Sequence, residues 1–225
     1  MNTTTAVLPA PPQRPTPLQR ASASIYDPIL WLGERRTMRA RRRALLAQAR
    51  GRTLEIGSGT GLNLAHYPPS LDQLALAEPD AGMRRHLERR VASAERQTTV
   101  IDAPAERLPF DDGTLDTVVS TLVLCTVDSP EAALREIGRV LSPGGQLLFI
   151  EHVRAGSRVR SYWQDRLAAP WRAFASGCNC NRATLTLMAQ GGYEFDVQDA
   201  TWRGMPSIVK PLVYGRAWLA GGFEG

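Results

Sequence analysis

The stretch Thr53-Leu54-Glu55-Ile56-Gly57-Ser58-Gly59-Thr60-Gly61-Leu62-Asn63-Leu64 constrains the fold of this chain more than any other. Apolar and β-favouring residues run into a carboxylate, glycines then take alternate positions, and a helical pattern begins. The order reads as a strand, a tight turn and a helix N-terminus. Gly57, Gly59 and Gly61 carry no Cβ, so a ligand can lie against bare backbone and be hydrogen-bonded by the N–H groups that open the helix. A dinucleotide fingerprint would place its third glycine at position 62, which is Leu. Glu55 would also repel a pyrophosphate, whereas it suits a cationic or amino-bearing ligand.

Downstream, the helical pattern stops at Tyr67-Pro68-Pro69, because proline withholds the next backbone bond. Gln73 to Glu78 reads as a second, buried strand ending in an acid. Glu78 and the following Pro79 stand where doubly wound folds place a carboxylate that accepts hydrogen bonds from both ribose hydroxyls. Glu55, the glycines and Glu78 together therefore imply a nucleoside. Asp80 to Ala94 reads as a helix with Arg84, Arg85, Arg89 and Arg90 on its outer face, and Thr98 to Ile101 as a third strand. Asp116 to Cys125 is a nearly continuous apolar run, as a strand buried on both faces requires. Ser129-Pro130 is a helix start, and Pro143-Gly144-Gly145 turns the chain into a fifth strand, Gln146 to Val153.

The acid-x-Gly-x-Gly-x-Gly turn resembles motif I of the class I S-adenosylmethionine-dependent methyltransferases. The later motifs resemble the ubiquinone and menaquinone methyltransferases in the same order: Asp102-Ala103-Pro104-Ala105-Glu106, the helix after Ser129, Leu-Ser-Pro-Gly-Gly and the strand after it. The likeness covers residues 52 to 153. It implies an α/β fold, doubly wound about a mostly parallel seven-stranded sheet and preceded by N-terminal helices, with S-adenosylmethionine as cofactor. The candidate cofactor contacts are Glu55, Gly57, Ser58, Gly59, Thr60, Gly61, Glu78, Pro79, Asp102, Ala105, Thr121 and Leu122. Pro104 stands where those relatives carry the carboxylate that binds adenine, so Asp102 and Ala105 are its stand-ins.

Thr121-Leu122-Val123-Leu124 replaces the acid/Asn-Pro-Pro-aromatic loop of nucleic-acid and glutamine N-methyltransferases, and this implies an apolar acceptor pocket. Glu151 and His152, at the carboxyl end of the fifth strand, are the candidate catalytic groups, since imidazole titrates near neutrality. Core histidine is the other reading of His152. Glu-His-Val, a Tyr-Trp-bearing helix, Gly-Cys-Asn and a following Arg are similar to the alkyl thiol methyltransferases of the methyltransferase-like group. Trp163, Asn179 and Arg182 are candidate acceptor contacts on that resemblance, and Tyr26, from the apolar patch before the first strand, and Leu124, from the apolar run after it, join them as candidates. Trp163, Trp171 and Phe174 also read as ordinary core.

The 225 residues, 43% of them apolar, suffice for a single α/β domain over 23–225 behind a Pro-rich flexible tail, 1–22. The formal charge of +5 rests on arginine, with Lys210 the one lysine; basicity alone decides little, and no nucleic-acid partner is expected. Arg35, Arg36, Arg39, Arg41, Arg42 and Arg43 read as a solvated helix surface; peripheral contact with an anionic membrane, or with an anionic substrate, is the alternative. Three cysteines without paired spacing suit a reducing compartment, and no metal is expected. No secretory signal layout or bilayer-length apolar run is seen, which points to a cytoplasmic protein. The sequence specifies no oligomeric state. The expected activity is methyl transfer to a small, mainly apolar acceptor: a thiol first, then a phenol or quinone precursor or a lipid amine. A nicotinamide-dependent oxidoreductase and a non-catalytic nucleoside-binding protein stay open at this level.

Overall fold

In the computed structural model, residues 16–221 are described; residues 1–15 of the expected tail lie outside them. Helix α1 (Pro17–Gly33) begins inside the stretch read as tail. It continues through a π turn (Glu34–Met38) directly into α2 (Arg39–Leu46), so the two expected helices form one continuous path. The Arg39 N–H bonds Glu34 O across the π turn. Gly33 sits just before it with the Trp202 indole pressed on its backbone; a Cβ there would meet the ring nitrogen at 2.3 Å.

The strands are β1 (Arg52–Ile56), β2 (Gln73–Ala77), β3 (Thr99–Ile101), β4 (Leu115–Thr121), β5 (Leu141–His152), β6 (Tyr193–Thr201) and β7 (Pro211–Leu219). They form one seven-stranded sheet in the order β3-β2-β1-β4-β5-β7-β6, parallel except for β7, which runs antiparallel to both neighbours. Side-chain alternation sorts the core onto both faces. Leu147 and Phe149 join Val118, α4 (Pro130–Val140) and α6 (Thr184–Gln190) on one side. Leu148 and Ile150 join Val119, α1, α2 and α3 (Ala81–Ala92) on the other.

Three expected elements differ. No α-helix follows the glycine turn, only a 3-10 turn at Leu64–His66. Between Gly61 and Pro68 there is too little chain for the costly first turns of an α-helix to be repaid. β4 stops at Thr121 because Leu122 adopts a φ of 61°, which breaks the strand and turns Val123 to Cys125 toward Glu151. β5 begins at Leu141, five residues early, with a register irregularity opposite Leu115 and Thr117 that absorbs the Pro-Gly-Gly segment.

Candidate active site

A cleft of about 570 Å³ opens along the carboxyl ends of β1, β2, β4 and β5, the edge at which open α/β sheets bind ligands. Gly57 and Gly59 line it with left-handed backbone, φ 53° and 56°. A Cβ on Gly59 would meet nothing within 4 Å, so it would stand in open space, while one on Gly57 would strike Val123 at 2.6 Å. Gly61 serves packing instead: its Cβ would press Leu87 of α3 at 2.8 Å.

Glu78 lines the cleft with both carboxylate oxygens anchored. Oε2 accepts from Gly59 N at 2.7 Å and Oε1 from Asp80 N at 2.8 Å. Each oxygen keeps a free lone pair, so the group can still accept from two hydroxyls. Arg84, expected on the outer face of α3, turns inward. It donates to the carbonyls of Glu78 and Pro79 and pairs with Asp102 at 2.8 Å, so its charge steadies the loop beneath the carboxylate. Asp80 caps α3 through Gly82 N and Met83 N. Met83, Pro104, Ala105 and Leu122 add apolar walls. Bare backbone, a two-oxygen acceptor and flat apolar walls in one cleft fit the turn, ribose and base of a nucleoside.

The other expected cofactor residues lie around this cradle without lining it. Ser58 bonds Glu55 O, Thr60 donates to Asp27 of α1 at 2.6 Å, and Thr121 accepts from Asn63. Arg90 of α3 pairs with the same Asp27, so α1 is tied over the glycine turn. Glu55 is buried: Asn63 donates to one oxygen at 2.9 Å and Tyr67 to the other at 2.7 Å. Arg42 bonds Asn63 and pairs with Glu34, which extends the network into the π turn. Arg42 thus departs from the expected solvated surface, whereas Arg35, Arg36, Arg39 and Arg43 are exposed.

Burial pushes the Glu55 carboxyl from 4.5 to about 7, against the pull of Tyr67, Asn63 and Arg42. Between those values the folded chain holds a proton that the unfolded chain has released, so stability falls as pH rises from 4.5 to 7 and stays low above it. At about 1.4 kcal/mol per pH unit the fall amounts to about 3 kcal/mol. Glu55→Gln, neutral throughout, is expected to flatten that part of the profile. Thermal unfolding between about pH 5 and pH 8 checks it, and an unchanged slope in the variant would reject the assignment.

At the far end of the cleft stand Tyr26, Leu30, Leu122, His152, Trp171, Phe174, Trp202 and Met205. His152 stacks on Trp202 at 5.5 Å, and Trp202 is held from behind by Gly33. Burial lowers the imidazole to about 4, although backbone hydrogen bonding at Pro211 and Val209 opposes the drop. It is therefore neutral at physiological pH. Its Nδ1 is buried with no hydrogen-bond partner, and so is the indole nitrogen of Trp202, which lies against Gly33. Buried polar atoms are rarely left so, and the one on His152, beside the cleft, fits a polar group of a ligand. Desolvation pushes the Tyr26 phenol up to about 12.

Glu151 does not line the cleft; its role in the structure is to position the loop that does. It is fully buried and accepts from Ser120 Oγ at 2.7 Å and from the N–H groups of Val123, Leu124 and Cys125. Leu124 is likewise core. Asn179 is held against Cys125 O, and Arg182 donates to the carbonyls of Leu124 and Val127, which makes both of them scaffolding for the same loop. Trp163 is half-exposed on α5 (Arg158–Phe174), edge-on to Tyr162 and away from the cleft. Trp202 and Met205 carried no signal in the sequence, since they sit in the irregular link between β6 and β7, where no periodicity applies.

Residues 54–149 match the family model described as methyltransferase domain. The human thiol S-methyltransferase TMT1A is 33% identical over 169 residues, which cover 73% of this chain and 69% of that protein. The chain belongs to the class I S-adenosylmethionine-dependent methyltransferases. A demethylmenaquinone methyltransferase of Mycolicibacterium gilvum is 34% identical over 128 residues, 56% of this chain and 54% of its own. Among solved structures, an S-adenosylmethionine-dependent methyltransferase from Thermotoga maritima superposes with a TM-score of 0.66 at 21% identity, over 88% of this chain and 96% of that one. A geranyl diphosphate methyltransferase in complex with its methyl donor gives 0.61 at 18% identity, over 80% and 83%. These likenesses extend the fold across the sheet. This methyltransferase uses S-adenosylmethionine, which closes the nicotinamide reading, and the nucleoside cradle at Gly57, Gly59 and Glu78 fits that group. No described helix is long and apolar enough to cross a membrane.

Proposed function

We propose that this methyltransferase, residues 23–225 acting as one cytoplasmic domain, methylates the sulfur of a small, mainly apolar thiol. The cofactor, when bound, supplies an activated methyl group; the chain supplies the rest. Gly57, Gly59 and Glu78 hold the nucleoside, Leu122 and its Glu151-anchored loop set the floor, and α1 covers the turn. The observation that carries the acceptor assignment is the neutral, partnerless Nδ1 of His152 on an apolar wall.

Full proton transfer from a thiol near pKa 8.5 to an imidazole near 4 would be uphill by about 6 kcal/mol, and from a phenol near 10 by about 8 kcal/mol. His152 is thus a hydrogen-bond acceptor that orients the acceptor's proton and aims the sulfur for in-line attack, and solvent takes the proton afterwards. The arrangement favours the acceptor that needs least help, and a thiol is the most acidic and nucleophilic of the candidates. Likeness to a thiol S-methyltransferase supports the same choice. A quinone precursor is the second reading, supported by the demethylmenaquinone relative.

A labelled-methyl transfer assay over alkyl thiols, phenols, quinols and lipid amines tests the proposal. Highest turnover is expected on apolar thiols. His152→Ala is expected to keep S-adenosylhomocysteine affinity and lose about tenfold or more in turnover. Transfer to phenols or amines in preference to every thiol would overturn the sulfur assignment, and unchanged turnover in the variant would remove His152 from the acceptor site.

A further inference from the structure

Cys125 and Cys178 come from segments far apart in sequence and meet with their sulfurs 3.8 Å apart. Backbone builds the meeting: Asn179 N donates to Cys125 O at 2.8 Å, and Cys178 N to Ala175 O at 3.0 Å. Both residues border the cleft, Cys178 at its surface and Cys125 buried just behind it, and neither has a part in the methyl transfer described above. The third cysteine, Cys180, packs in the same small core but does not line the cleft.

We infer that Cys125 and Cys178 form a redox dithiol that small-molecule disulfides entering the cleft convert into an intramolecular disulfide, by way of a mixed disulfide on Cys178. The cleft alone carries this inference, whichever acceptor the enzyme methylates. In the first step the Cys178 sulfur, having lost its proton, attacks one sulfur of R–S–S–R. A Cys178–S–S–R bond forms, the original S–S bond breaks, and R–S⁻ leaves and takes up a proton. In the second, Cys125 gives its proton to solvent and attacks the Cys178 sulfur. The second R–S⁻ departs and is protonated in turn. Two protein thiols are oxidised, and one small disulfide is reduced to two thiols.

The order of attack follows from surroundings. Cys178 is 7% exposed and beside the Trp171 indole, whose N–H has no other partner; Cys125 is fully buried. The shared contact with Cys125, the Trp171 N–H and the Arg182 charge draw the Cys178 thiol down. The same contact, burial and the nearby Glu151 carboxylate push Cys125 up. The sulfur with more thiolate character attacks first, and the buried one resolves. Bond formation draws the sulfurs from 3.8 Å to about 2.04 Å. It ties the loop after β4 to the segment after α5 and removes the Cys178 thiol from the cleft wall. Cys180, pushed up to about 11 by burial, is an internal control.

The full chain is incubated with 2-hydroxyethyl disulfide and mapped by non-reducing digestion and mass spectrometry. A Cys125–Cys178 link with Cys180 free, reversed by dithiothreitol, is expected. Cys125→Ser should stop at one hydroxyethylthio adduct on Cys178, and Cys178→Ser should leave Cys125 unmodified. Three results would overturn the inference: separate adducts on both cysteines without a link, equal labelling of Cys180, or no reaction of the folded chain where the guanidinium-unfolded chain reacts. If a serine variant fails to fold, the wild-type map decides alone. Because no methyl transfer is measured, a negative acceptor assay and a negative map stay distinguishable.

Discussion

Glu151→Ala is expected to cost about 3 kcal/mol or more of folding stability, because several buried donors lose their acceptor at once. The carboxylate is fully buried and serves four donors. Alanine would leave the Ser120 hydroxyl and the N–H groups of Val123, Leu124 and Cys125 without an acceptor, and an orphaned buried donor costs about 1–3 kcal/mol. Glu151→Gln separates this account from a general need for volume. Its carbonyl oxygen can replace Oε1, which takes three of the four bonds, and only the Cys125 N–H at 3.2 Å would face an amide donor. The glutamine variant is therefore expected to lose about 1 kcal/mol. Urea unfolding of both variants is the measurement. An alanine variant within about 1 kcal/mol of wild type would show that Glu151 does not hold the cleft floor in place.

Gly59→Val is expected to abolish binding of S-adenosylhomocysteine, with affinity down at least about 100-fold, or about 2.7 kcal/mol. The position has a φ of 56°, and the new side chain would project into open cleft space where nothing lies within 4 Å. A β-branched residue is also strained at positive φ, at a cost of about 1–2 kcal/mol. A protein of this size keeps a folded state under such strain. The neighbouring glycine makes the contrast. At Gly57 the added carbon would meet Val123 at 2.6 Å, so valine there damages the loop as well as the site. Calorimetric titration with a circular dichroism check separates loss of ligand from loss of fold. Retained affinity in folded Gly59→Val would place the nucleoside elsewhere.

Legibility in the sequence followed the physics of each feature. The glycine turn and the acid ending β2 were readable because bare backbone and a carboxylate at the strand ends are requirements of short spacing. The apolar runs of β4 and β5 were readable because a strand buried on both faces admits little else. Where the outcome hung on a specific polar or packing partner that periodicity does not report, local pattern gave the opposite answer. Arg84 matched an exposed helix face and is buried by its bonds to Glu78, Pro79 and Asp102. Trp163 matched a core or pocket aromatic and is half-exposed, while Trp202, in a link with no period, is buried to 2%. Glu55 matched a ligand-facing acid, yet Asn63 and Tyr67 take up both its oxygens from inside. The missing helix after Gly61 belongs to the same class: the sequence begins a helical pattern there, and two prolines close it before a second turn can form.

The Trp202 indole, wedged between Gly33 and His152, bears on how the enzyme comes into being. β7, which pairs His152 with Leu212 along the open flank of β5, is translated after every other strand. A nascent polypeptide ending before it would already contain the glycine turn, Glu78 and Trp202, yet β5 would lack its antiparallel neighbour beside His152. In chain order, the strand that flanks His152 is therefore the last of the sheet to become available, well after the glycine turn and Glu78.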